Sequence, residues 1–178
     1  MTGAGCRVMK FTRIALATLI MVVATSARAA TTATLTINVT FTQPSCNITV
    51  PDSYNLGLLT PGETKNHGDM NIIWECEGHI PQKTALTATI VTGTAENDNK
   101  TVRLKAGTGD SKVTLSLREK NNSTLIKMTG PGAGNYFCSD TAETTGIRTC
   151  TLTPVTEVTG QGALGPASAT LRFEVGYP

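Results

Sequence analysis

The chain has 178 residues, a formal charge of +2, only 4% aromatic residues and five cysteines. Arg7, Lys10, Arg13 and Arg28 precede residue 30 and no acid does, so residues 30–178 keep 11 basic and 13 acidic residues and a charge of −2. The basic balance belongs to the leader, which excludes a charge-driven nucleic-acid partner, and what remains suits one domain with a modest core.

In chain order, Lys10 and Arg13 introduce an apolar run over 14–23, followed by Ala27-Arg28-Ala29. This is the pattern of a secretory signal peptide over residues 1–29, too short to anchor the chain in a bilayer. Met1 and Met9 both serve as starts for such a leader. Next, Leu35, Ile37, Val39 and Phe41 alternate with Thr34, Thr36, Asn38 and Thr40, the period of a half-buried strand. Further short runs predict strands over 46–50, 54–59, 70–77, 84–92, 101–106, 112–119, 133–137, 148–156 and 168–177. In the last of these, Leu171, Phe173, Val175 and Tyr177 alternate with Arg172, Glu174 and Gly176. Turn signals such as Pro61-Gly62, Asn97-Asp98-Asn99 and Gly130-Pro131-Gly132 separate the runs. The 28 threonines of residues 30–178 suit pleated strands. The spacing predicts an antiparallel sandwich without a substantial helix. An alternating strand near each terminus, both with an apolar face, suggests a fold completed from outside.

Cys6 leaves with the leader, and Cys46, Cys76, Cys138 and Cys150 remain. An even count in an exported chain reads as two disulfides. Three connectivities are possible. The local pairs Cys46–Cys76 and Cys138–Cys150 are the expected ones, each contributing about 3–4 kcal/mol in the chain-entropy model. Zinc competes poorly because the chain lacks a Cys-x-x-Cys pair. His67 and His79 are the only histidines, too few for an expected metal or catalytic site. Residues 107–112, Gly-Thr-Gly-Asp-Ser-Lys, lack the ending of a phosphate loop and read as a hairpin turn. Ser123 and Lys127 have no triad partners nearby. Asn38, Asn47, Asn99 and Asn122 stand in sequons that read as surface asparagines. Trp74, two residues before Cys76, has two readings: packing on a disulfide or stacking on a ligand. No cofactor, metal or enzymatic activity is expected.

Four elements in order carry a resemblance. An alternating segment leads through residues 40–45 to Cys46, and Leu56-Gly57-Leu58-Leu59 follows. Cys76 closes an apolar strand containing Met70, Ile72, Ile73 and Trp74. Gly165 stands fourteenth from the end and Tyr177 is penultimate. Behind a signal peptide, this resembles the pilin subunits of the chaperone–usher pathway. Two features depart from the family pattern. Val39 stands where many members have a glycine, and Cys138 with Cys150 form a pair that many lack.

The resemblance implies an all-β, incomplete immunoglobulin-like β-sandwich that lacks its seventh strand and is completed by a donor strand from another subunit. Residues 30–41 would be the donor segment, acting through Leu35, Ile37, Val39 and Phe41, and residues 42–178 the pilin domain. Gly165, Leu171, Phe173, Val175 and Tyr177 would form the groove and chaperone-binding strand, with residues 40–45 as the opposite wall. The implied partners are a periplasmic chaperone, an outer-membrane usher, neighbouring pilin subunits and a possible host receptor. The implied location is the surface fimbria of a Gram-negative bacterium, reached through the periplasm. The short stretch from Ala30 to Cys46 is closer to minor or tip-adaptor subunits than to major rod subunits. The alternatives are a single-domain adhesive subunit and a self-folding secreted sandwich enzyme or inhibitor.

Overall fold

The computed structural model describes residues 36–39, 44–160 and 165–178. The chain divides into two compact units, Met1–Phe41 and Thr42–Pro178. The expected signal peptide lies outside the described residues, as do Leu35 and Phe41. In the first unit, residues 36–39 carry no strand, and Ile37 and Val39 are 74% and 82% exposed. The alternation there has no ladder partner among the described residues, and one strand alone is not stable in water.

The second unit is all-β among its described residues. Its strands are β1 (Cys46–Thr49), β2 (Thr64–Asn66), β3 (Met70–Cys76), β4 (Ala85–Thr92), β5 (Thr94–Ala95), β6 (Thr101–Ala106), β7 (Gly109–Glu119), β8 (Ile147–Val158) and β9 (Thr170–Gly176). A seven-stranded antiparallel sheet runs β1-β3-β8-β7-β6-β5, with β2 following β3 along the same side of β8. A two-stranded sheet, β4-β9, faces it. Ile72 and Trp74 of β3, Leu117 of β7, and Cys150 and Leu152 of β8 meet Leu86 and Ala88 of β4 in the core. Alternate residues of each strand face inward, as the pleat requires.

Pro154 sits inside β8, opposite Leu117 of β7. Its carbonyl accepts from the His67 N–H at 2.9 Å. Its main chain therefore faces the seam between β2 and β3, where the missing N–H breaks no ladder bond.

Two expected strands are absent. Residues 54–59 are irregular, and in 133–137 only Phe137 pairs, forming an isolated bridge to Leu86. Between Asn55 and Gly57 a side chain replaces the ladder: the Gly57 N–H donates to Asn55 Oδ1 at 2.8 Å, and Gly57 has a φ of 70°. Around Gly130, Asn135 Nδ2 donates to the Gly130 carbonyl at 3.1 Å and holds a loop instead of a strand.

The disulfides pair Cys46 with Cys76 and Cys138 with Cys150. The first joins directly opposed residues of β1 and β3. The second runs from the strip beside β4 to fully buried Cys150 in the middle of β8, so it ties one layer of the sandwich to the other.

Candidate strand-binding cleft

The site begins with the main chain of β4. The Leu86 N–H and carbonyl both pair with Phe137, the Ala88 carbonyl accepts from Gly130, and the Ile90 N–H donates to Met128. Residues 86, 88 and 90 thus turn their peptide groups away from β9. Their neighbours Ala85, Thr87 and Thr89 pair with Gly176, Glu174 and Arg172. Antiparallel alternation then aims the peptide groups of Leu171, Phe173 and Val175 at the other edge of β9. Among the described residues no strand pairs there. Those residues also turn their side chains against the core. One row of residues therefore offers both apolar surface and peptide groups that pair with no described strand.

Along that edge runs an open cleft of about 1340 Å³. Ala169, Leu171 and Phe173 form one wall. Met70, Leu104, Leu115 and Leu117 lie beneath, and the segment from Val50 to Pro61 forms the opposite wall. That wall is held at separate points. Tyr54 Oη donates to the Gly68 carbonyl at 2.6 Å, and the Gly62 N–H donates to the Val158 carbonyl at 2.9 Å. Leu58, between these points, is 95% exposed. Asp52, Lys112 and Arg172 are the charged residues of the lining.

The cleft ends beyond Phe173 and Val50, where β9 approaches β1. There Tyr177 Oη donates to the Pro44 carbonyl at 2.6 Å and lies 3.2 Å from Cys46 Sγ. Gly165 lines the cleft, with a φ of 147° that glycine adopts readily. Gly165, Leu171 and Phe173 line the cleft, and Val175 and Tyr177 are not in its lining. Among the described residues, the opposite wall is 50–61. Of the expected wall 40–45, residues 44–45 are not in the lining and 40–43 fall outside the described residues.

Beside the cleft-bearing sheet lies a buried polar network that spacing could not reveal. Trp74 Nε1 donates to Thr84 Oγ1 at 2.9 Å, and that hydroxyl donates to Asp140 Oδ2 at 2.8 Å. The same carboxylate oxygen accepts from the Thr84 N–H and from Arg148 Nε, each at 2.9 Å. The Arg148 guanidinium also caps the carbonyls of Gln82, Thr144 and Gly146. Trp74 is 2% exposed, so its ring is sealed in the core and cannot stack on a ligand. His67 Nε2 lies 2.8 Å from Thr156 Oγ1, and burial together with nearby Lys65 pushes the imidazole below its ordinary pKa. His79 is exposed. Among the described residues, no three His, Cys, Asp or Glu side chains are placed to hold a metal ion.

The cleft is equipped to bind an extended chain. Burying four apolar side chains there contributes about 6–12 kcal/mol before ordering costs, and the β9 edge supplies main-chain hydrogen bonds.

No family model and no curated protein matches the sequence. Solved structures do match in shape. A chain from a chaperone–usher pilus, whose structure concerns uncoiling of the rod, aligns with a TM-score of 0.53 and 14% identity, over 84% of this chain and 97% of its own. The P pilus rod subunit PapA aligns with a TM-score of 0.56 and 17% identity, over 75% of this chain and 99% of its own. At these identities the likeness carries the fold: an incomplete immunoglobulin-like β-sandwich lacking one strand, the architecture of these pilus subunits.

Proposed function

We propose that this chain is a structural subunit of an adhesive surface fimbria, completed in its cleft by a strand from another protein. A periplasmic chaperone fills the cleft first, and the N-terminal segment of the next subunit replaces it at an outer-membrane usher. The observation that carries this reading is the edge of β9 that no described strand pairs, where Leu171 and Phe173 present apolar side chains and peptide groups above an apolar floor. An uncovered edge of this kind invites aggregation unless it is paired. The strand this chain would donate is 30–41. Its described part, 36–39, is unpaired and exposes Ile37 and Val39. Donor and acceptor surfaces differ, so the contact does not close on itself and builds a fibre. Placement as a minor or adaptor subunit rests on the short stretch ahead of Cys46.

The test is refolding of residues 30–178 alone and with a donor peptide or a pilus chaperone. The subunit reading expects aggregation alone and a soluble complex with the added strand. A stable monomer that refolds unaided and ignores the peptide would favour a self-contained secreted domain.

A further inference from the structure

Along β9 the cleft lining reaches Phe173 and goes no further, and beyond it a side-chain contact joins the end of β9 to the residues ahead of β1. Past Phe173, the side chain of Tyr177 reaches from the end of β9 to the chain just ahead of β1 and donates to the Pro44 carbonyl at 2.6 Å. Its hydroxyl lies 3.2 Å from Cys46 Sγ, which the bond to Cys76 holds against β3. The contact is thus braced on both sides. On one side, β9 is laddered to β4 through Gly176, the residue before Tyr177. On the other, β1 is laddered and disulfide-linked to β3. Val175 and Tyr177 are absent from the cleft lining, although their alternation continues that of Leu171 and Phe173.

We infer that Tyr177 is the stop that fixes the register of the inserted strand. A period-two strand on an apolar floor can slip by two residues, about 6.6 Å, and still present its apolar side chains to that floor. Hydrogen bonding along β9 does not forbid such a slip, because peptide groups repeat at the same interval. A solid end to the cleft does forbid it. An in-phase side chain beyond the stop meets the Tyr177–Pro44 contact and finds no pocket. Tyr177 therefore acts as a positioning residue that selects how many apolar residues of a donor enter. This role differs from lining the cleft and rests on the strand-acceptor reading above.

The test uses the full chain and a synthetic peptide of residues 33–41 as probe, with two further peptides. Each adds one valine in phase with the apolar positions, at the N-terminal or the C-terminal end. Binding is measured on wild type, Tyr177→Ala and Tyr177→Phe, with Trp74 fluorescence reporting that each variant is folded. Wild type gains nothing from the extension that points to the closed end. Tyr177→Ala turns that same extension into about a tenfold gain, the worth of one newly buried aliphatic side chain. Tyr177→Phe keeps the ring but loses the Pro44 bond and gains about fivefold. The other extension responds equally in all three proteins. If the 33–41 peptide binds every protein and neither extension distinguishes the variants from wild type, the stop is refuted while the strand-acceptor reading stands. A wild-type chain that binds none of the peptides, and that is kept soluble by neither a pilus chaperone nor another pilin's donor peptide, overturns both.

Discussion

Replacing Asp140 with alanine should destabilise the domain out of proportion to the atoms removed. One carboxylate oxygen accepts the Thr84 N–H, the Thr84 hydroxyl and Arg148 Nε, all within 2.9 Å. The side chains of Arg148 and Asp140 are only 7% and 15% exposed, so solvent screening discounts the pair little. Arg148 keeps its bonds to three carbonyls and therefore stays in place after the substitution, a buried cation without its counter-ion. Breaking such a pair from one side costs about 3–5 kcal/mol. The two Thr84 donors add to the upper part of that range, because their unmet desolvation is about 1–3 kcal/mol each. Against a total stability of about 5–15 kcal/mol, this is a large fraction. Urea unfolding followed by Trp74 fluorescence, with the donor peptide at saturation, measures it. Trp74 is the sole tryptophan and touches the network through Thr84. Removing the cation as well, in Asp140→Ala/Arg148→Met, should recover at least half the loss. A single-variant cost under about 1 kcal/mol, or a double variant no better than the single, would refute the account.

Removing the disulfides as Cys46→Ala/Cys76→Ala and Cys138→Ala/Cys150→Ala should cost about 3–4 and about 3 kcal/mol by loop entropy, and the second pair more again from its cavity in the core. Parallel denaturation curves decide this, and a neutral second pair would contradict its place between the layers. Gly176→Ala would put a methyl 2.7 Å from a Tyr136 ring carbon. It should cost about 1–3 kcal/mol, and Tyr136→Ala in the same chain should abolish most of the clash. Burial pushes the Asp98 carboxyl up, but the N–H groups of Lys100 and Thr101 and the Thr101 hydroxyl outweigh it and hold its pKa below the usual carboxylate value. Because the folded pKa is the lower one, this turn gains stability above the unfolded value of about 4 and loses it as pH falls through the folded value. Amide exchange at Lys100 and Thr101 should accelerate below about pH 4, and a flat profile would show that the carboxylate does not hold the turn.

Elements with a partner were legible in the sequence. The runs at 70–77, 84–92, 101–106, 112–119, 148–156 and 168–177 alternate because each has one face on the core, and all are strands. The alternation of Leu56 and Leu58 looks the same on paper. It fails as a strand because pairing is a property of two segments, and the partner this wall would need is the one the sandwich lacks. Strand β2, Thr-Lys-Asn, was invisible for the opposite reason: its ladder to β8 is main-chain and needs no apolar side chain. In β9, alternation identified the face that packs on the core, with Leu171, Phe173 and Val175, but does not say how far along it the cleft extends. The Trp74–Thr84–Asp140–Arg148 network joins residues up to 74 positions apart, and no local spacing encodes it.

The lengths of the strands at the sheet margins have a consequence for crowding on a surface. Strand β5, at one margin of the large sheet, is two residues long, and β1, at the other, is four. Among the described residues, neither margin offers more than a short stretch of ladder to a foreign strand, and Pro154 withholds an N–H where β2 gives way to β3. Only β9 combines a seven-residue length with an unanswered edge among the described residues. Two copies lying side by side therefore have little main-chain basis for zipping together laterally, however concentrated they become. If subunits join through strand pairing as proposed, growth would follow the single line of β9, and a densely packed set of such molecules would not fuse into sheets.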